Sequence, residues 1–297
     1  MAVEQLRRSL RRTGFLPRHR RWDSFLSGLQ LDPDQLATPV APPGERDFVI
    51  CGAPRSGTTL LAASLYQLPA VVTVMEPWDG LRLPPSELFS SLRDEIETKG
   101  ALARGRLDIG ALHSRGEVRW MKEGSKSFRV TVNDDYLLGV KWPAFWRYLD
   151  LLPETRFIVC VRDPLEVVVS CRKKGGAVAE GLDYECLFNA RMNDHLRRLT
   201  RVPVRRRVLL YDHINERVLA ALGRPNVFLA RYERWFEDPE RLMEEMGAFL
   251  GVELGMGLPV IRPRSGSPDA TREEKRAVAE RCATAERLGY ATSVSKR

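Results

Sequence analysis

Short blocks of continuous apolar residues punctuate an otherwise polar chain. Asp47-Phe48-Val49-Ile50-Cys51-Gly52 is one such block, closed by glycine. That pattern suits a parallel strand buried on both faces. Thr58 to Tyr66 then predicts a helix, and Val71-Val72-Thr73-Val74-Met75 a second short strand. Residues 86–130 read as mostly helical and polar, with Gly100, Gly105, Gly110 and Gly116 as punctuation. Arg156 to Val161 is another buried strand, followed by a helix from Pro164 to Lys174. Asp183 to Leu199 predicts a long helix and Asn226 to Tyr232 a third strand. Pro239 to Leu250 and Thr271 to Leu288 predict amphipathic helices. Strands alternating with helices predict an α/β fold, a parallel sheet flanked by helices. Residues 1–45 are basic and then Pro-rich, with a short helix expected around 22–30. They read as an N-terminal extension. Residues 46–297 read as a single domain, because no Pro/Gly/Ser-rich linker divides them.

Composition narrows the partners. The chain has 297 residues, 43% of them hydrophobic, enough for a sizeable core. Its net charge is +8 and its pI near 9.4, which suits an anionic partner. Arg7, Arg8, Arg11, Arg12, Arg18, Arg20 and Arg21 supply much of that excess. This run reads first as a solvated arm; a lid over an anionic site or a membrane-surface segment is the alternative. Cys51, Cys160, Cys171, Cys186 and Cys282 have no zinc spacing. Their odd number, without a signal peptide, predicts a reducing cytoplasm. No apolar stretch approaches the roughly 20 residues of a membrane span.

One loop carries the chemistry. Gly52-Ala53-Pro54-Arg55-Ser56-Gly57-Thr58-Thr59 spaces two glycines as a P-loop does, between a strand and a helix. Such a loop lets backbone N–H groups at a helix N-terminus close on an anion. The fold expected is therefore of P-loop type. The Lys that follows the second glycine in nucleotide kinases is missing, and Thr58 stands there. Arg55 is the one cation of the loop. Further on, Arg162 closes a strand and Ser170 follows eight residues later, about two helical turns away. Together they suit one phosphate, or else a helix cap and a serine on its face.

The loop, extended by Leu60-Leu61, resembles the 5'-phosphosulfate loop of the sulfotransferase superfamily, in the Pro-Arg-Ser-Gly-Thr-Thr form of tyrosylprotein and many bacterial sulfotransferases. The resemblance covers most of the chain from residue 46 on. It implies the donor PAPS (3'-phosphoadenosine 5'-phosphosulfate), the product PAP and no metal. It implies that Gly52, Pro54, Arg55, Ser56, Gly57, Thr58 and Thr59 hold the 5' end. Val161-Arg162-Asp163-Pro164 with Ser170 looks like the family's 3'-phosphate site. Arg231-Tyr232-Glu233, ahead of Phe249-Leu250-Gly251, resembles a further segment and places Tyr232 near the cofactor, with a core aromatic as the alternative. The tail with Arg264 and Ser265 is similar in position to a loop that closes over the nucleotide.

The same resemblance implies Glu76 as general base, with a solvated carboxylate before Pro77 as the alternative. Apolar surroundings such as Met75 and Trp78 would push its pKa up. Lys141-Trp142-Pro143 resembles the family's Lys-x-Pro segment and implies that Lys141, with Arg55, stabilises the transferring group, with a solvated surface lysine as the alternative; Lys122 is the second choice. His19, His113, His195 and His213 lie outside these motifs and read as structural or surface residues. Trp78, Trp120, Trp142, Phe145, Trp146 and Tyr184 line an acceptor pocket or belong to the core. A small-molecule, glycan or lipid acceptor is expected, and a homodimer stays open. No nucleic-acid motif is present. The rivals are a P-loop nucleotide kinase and an inactive PAP-binding scaffold.

Overall fold

The computed structural model describes residues 41–81, 83–102, 128–183, 190–255 and 269–291. They fall into two compact units, one from Val40–Arg162 and Ala220–Ser265, the other including Asp163–Leu219 and Gly266–Arg297. The first unit holds a five-stranded, all-parallel sheet. Its strands are β1 (Asp47–Gly52), β2 (Val71–Met75), β5 (Leu137–Lys141), β6 (Arg156–Val161) and β7 (Val227–Arg231). A two-stranded antiparallel ribbon pairs β3 (Ala101–Leu102) with β4 (Phe128–Arg129). The helices of this unit are α1 (Thr58–Leu65), α2 (Pro85–Lys99), α7 (Arg234–Glu237) and α8 (Pro239–Leu250). Those of the second are α3 (Pro164–Lys174), α4 (Gly176–Ala179), α5 (Ala190–Leu199), most of α6 (Pro203–Ala221) and α9 (Arg272–Arg281). The α/β fold with a parallel sheet flanked by helices is the one the hydrophobic pattern predicts.

The strand order is β2-β5-β1-β6-β7. All residues of β1, β2 and β5 are buried. The chain leaves β1 toward β2 on one side and leaves β6 toward β7 on the other. The ends of β1 and β6 therefore flank the topological switch point, where open α/β sheets bind ligands.

Two elements that the sequence reading did not predict have identifiable reasons. β5, next to the centre of the sheet, has Gly139 in its middle, and a glycine there reads as a break. Here it makes room: a Cβ at Gly139 would lie 2.4 Å from the ring of Phe48, its register partner on β1. Helix α6 was hidden by Arg205-Arg206-Arg207 near its start. Its apolar stripe Val204, Val208, Tyr211, Ile214 and Val218 is buried at helical spacing. Arg206 and Arg207 are buried too, because each has partners. Arg206 donates to the Glu180 carbonyl at 2.6 Å, and Arg207 to the Ala179 carbonyl at 2.6 Å.

The predicted helix over 271–288 is broken. α9 starts on a capping box between Thr271 and Glu274 and ends at Cys282. There the Asp212 carboxylate accepts from the Ala283 and Thr284 amides and the Thr284 hydroxyl, at 3.0, 3.0 and 2.7 Å. Those bonds hold the chain in a turn ahead of a short 3-10 helix, Glu286–Leu288. Of the helix predicted over 183–199, Ala190–Leu199 is helical and residues 184–189 lie outside the described residues. Of the stretch 86–130, Pro85–Lys99 is helical and the two short β3 and β4 strands are not. The helix expected around 22–30 lies outside the described residues, as does the basic N-terminal run.

Glu274 ties the second unit together. It is buried, receives hydrogen bonds from Arg172 at 2.9 Å and Arg207 at 3.1 Å, and accepts the Thr271 amide at 3.0 Å. Burial pushes its carboxyl up, but the bonds from Arg172 and the Thr271 amide outweigh it and leave the pKa below the ordinary 4.5. A depressed carboxyl contributes stability above its unfolded pKa and loses it as the pH falls through the folded value. Glu274→Gln is therefore expected to cost about 3 kcal/mol near neutral pH, because Arg207 stays buried without its counterion. Urea titrations of both proteins check this: the gap between them should close as the pH falls below 4.5, and a gap independent of pH would refute the assignment.

Candidate active site

Because the five strands are parallel, their C-terminal ends share one edge of the sheet. The chain leaves β1 through a loop with unusual backbone geometry. Gly52 has φ 143°, and a Cβ there would lie 2.3 Å from the Cys160 carbonyl oxygen of β6. Arg55 has φ 73° and an exposed side chain. Gly57 has φ 105° and caps α1, where a Cβ would lie 2.3 Å from the Tyr232 ring. Both glycines thus serve close approach as well as a left-handed turn. The Cys160 thiol donates to the Ser56 carbonyl at 2.9 Å, which binds the loop to β6. Burial pushes that thiol up to about 12, so it is a structural donor and not a nucleophile.

The loop delivers an open helix N-terminus. No side chain caps α1, and its first turn carries no acid. The first N–H groups of such a helix attract anions through orphan donors and the helix dipole. The Ser56 hydroxyl is fully buried and has no hydrogen-bond partner among the described residues. Thr58 is buried, Thr59 half-buried and Pro54 buried. These features fit an anion seated on the loop: N–H donors and a spare buried hydroxyl, with Arg55 the cation in the loop's sequence.

Arg162 follows β6 and Tyr232 follows β7. The Tyr232 amide donates to the Val161 carbonyl at 2.8 Å, extending the β6–β7 pairing. The Arg162 guanidinium carbon lies 4.2 Å from the Tyr232 ring centroid, and its Nη1 donates to the Arg55 carbonyl at 3.4 Å. Ser170 lies on α3, in the other compact unit. Arg264 and Ser265 lie outside the described residues.

On the other side of β1, Glu76 and Lys141 form a buried ion pair. Lys141 ends β5, and Glu76 follows Met75, its register neighbour on β2. The Lys141 ammonium donates to Glu76 Oε1 at 2.5 Å, with side-chain exposures of 2% and 6%. The Glu76 amide also donates to the Lys141 carbonyl at 2.8 Å. Glu76 is therefore not a solvated carboxylate, nor Lys141 a surface lysine. Arg55 and Glu76 are the two non-glycine residues with left-handed backbone among the described residues. Such conformations cost about 1–3 kcal/mol and concentrate at functional positions. The sequence reading singled out both residues of the pair, separately. Nothing in it paired them, because they are 65 positions apart and only the β2–β5 register joins them.

Trp142, Phe145 and Trp146 are buried, with Trp142 donating to the Pro77 carbonyl at 3.0 Å. They belong to the core. The side chains of Trp78, Trp120 and Tyr184, as well as Lys122, His19 and His113, lie outside the described residues. His195 and His213 sit on α5 and α6, in the other compact unit. Cys51, Cys160, Cys171 and Cys282 are buried free thiols. Among the described residues there is no cluster of three metal-ligating side chains, and no helix long and apolar enough to cross a membrane.

A nucleotide-type loop thus ends a central parallel strand, with Lys141 and Arg162 at the ends of its neighbours. The chain belongs to the sulfotransferase family, whose profile matches residues 47–255. It is 28% identical over 223 residues to nodulation protein NoeE of Sinorhizobium fredii (strain NBRC 101917 / NGR234). That alignment covers 69% of this chain and 49% of NoeE, so the chain spans about half the length of this curated relative. Among solved structures, a sulfotransferase from Alicyclobacillus acidocaldarius is 18% identical, with TM-score 0.42, over 84% of this chain and 95% of that one. The sulfotransferase domain of the Synechococcus PCC 7002 olefin synthase is 19% identical, with TM-score 0.41, over 76% and 78% of the two chains.

Removing one partner of the buried pair is expected to be costly. Lys141→Met leaves the Glu76 carboxylate buried without its cation, a loss of about 3–5 kcal/mol. Adding Glu76→Gln to that variant should recover part of the loss. Urea unfolding of the two single variants and the double variant measures the coupling, and additive losses would show that the pair does not form in solution.

Proposed function

We propose that the protein transfers the sulfuryl group of PAPS to a hydroxyl of a small-molecule, glycan or lipid acceptor, without a metal. The observation that carries this reading is the convergence on one sheet edge of an anion-accepting loop, Arg162, and the Glu76–Lys141 pair. Family membership supports sulfuryl transfer as the reaction and argues against the nucleotide kinase. The family match runs through both compact units, which supports reading residues 46–297 as one catalytic domain.

PAPS supplies an activated sulfuryl group with a phosphate as its leaving group. In this reading the 52–59 loop and the N-terminus of α1 bind the 5' end, and Arg55 neutralises its charge. Arg162 recognises the 3'-phosphate by a charge-assisted fork. Glu76 takes the proton of the acceptor hydroxyl as its oxygen attacks sulfur. The new O–S bond forms as the S–O bond to the phosphate breaks. Lys141 and Arg55 stabilise the charge that moves onto that phosphate oxygen. Lys141 also holds the Glu76 carboxylate in place through their 2.5 Å contact.

Transfer of radiolabelled sulfate from PAPS onto fractionated metabolites tests the reaction. Glu76→Gln is expected to lower transfer about 100-fold or more while PAP still binds. Arg162→Ala is expected to weaken PAP by roughly 10-fold to 100-fold and adenosine 5'-phosphate far less. A chelator should leave transfer unchanged. Label retained by Glu76→Gln would exclude it as the base. PAP binding without any transfer would favour the inactive scaffold.

A further inference from the structure

We infer that Tyr232 is a positioning residue: its ring holds the Arg162 guanidinium against the phosphate loop, so that the 5' and 3' anions of the donor are recognised as one unit. The inference rests on the reading of this edge as a PAPS site. Three contacts close a triangle. The ring lies over the Arg162 guanidinium carbon at 4.2 Å. The same ring fills the space beside Gly57, where a Cβ would lie 2.3 Å from Cδ2 and 2.9 Å from Cε2. Arg162 Nη1 reaches the Arg55 carbonyl of the loop at 3.4 Å. The Tyr232 backbone is held by its N–H hydrogen bond to the Val161 carbonyl, and its ring packs edge-on against Phe236 at 5.3 Å.

The physical consequence is pre-organisation. A guanidinium on a long stem loses rotamer freedom when it binds a phosphate, and a stacking partner takes up that loss beforehand. A ring that also braces Gly57 makes the Arg162 orientation depend on the loop being in place. The Tyr232 hydroxyl is not needed for this; the aromatic face is. The loss on removing the ring should therefore fall on ligands that carry a 3'-phosphate.

The test is calorimetry with adenosine 3',5'-bisphosphate and adenosine 5'-phosphate on wild type, Tyr232→Phe, Tyr232→Leu and Tyr232→Met. Two apolar replacements are used because either by itself can fail to fold. Wild type and Tyr232→Phe should share the same preference for the bisphosphate. Tyr232→Leu and Tyr232→Met should lower that preference roughly threefold to thirtyfold, the range of a desolvated cation–π contact. An unchanged preference, or equal loss for both nucleotides, would overturn the positioning role. So would a Tyr232→Phe variant as impaired as the apolar ones, which would place the effect in the hydroxyl. A wild type that binds neither nucleotide would instead sink the donor-site reading, and the positioning role with it.

Discussion

Everything at this site depends on parallel pairing in register. Five strands that run the same way must end on the same edge, and their exits then become neighbours without any long-range signal in the sequence. The order β2-β5-β1-β6-β7 places Glu76, Lys141, the 52–59 loop, Arg162 and Tyr232 along that edge in turn. Residues separated by 65 positions become an ion pair because Met75 and Lys141 are register partners. The close packing of β1 on β5 and β6 is itself conditional on small residues. Gly139 admits the Phe48 ring, and Gly52 admits the Cys160 carbonyl.

The edge is also where the fold tolerates unfavourable states. Arg55 and Glu76 hold left-handed backbone without being glycine. The Glu76–Lys141 pair places two charges out of water, where desolvation offsets much of their attraction. The Ser56 hydroxyl is buried without a partner among the described residues. A chain selected for stability alone would replace such groups with apolar ones. Strained and desolvated groups of this kind concentrate at functional positions, and here they collect at one edge.

Much of this was legible in the sequence. The runs at 47–52, 71–75 and 156–161 gave three strands within a residue of their ends, because a strand buried on both faces is apolar throughout. Asp163-Pro164 and Asp238-Pro239 gave two helix starts, since each Asp caps and each Pro suits the first turn. What escaped has a common cause. Gly139 in β5 and the buried arginines of α6 break local rules for reasons that lie on other elements, the Phe48 ring and the acceptors Glu180 and Ala179. The site followed the same division. Its loop was readable residue by residue; the pairing of Glu76 with Lys141 and the packing of Tyr232 on Gly57 were not.

Diffraction from crystals grown with PAP tests the central claim most directly. The account predicts the 5'-phosphate within hydrogen-bonding distance of the first amides of α1, and the 3'-phosphate on the Arg162 guanidinium. Density for the nucleotide elsewhere on the molecule, or a 3'-phosphate turned away from Arg162, would contradict it.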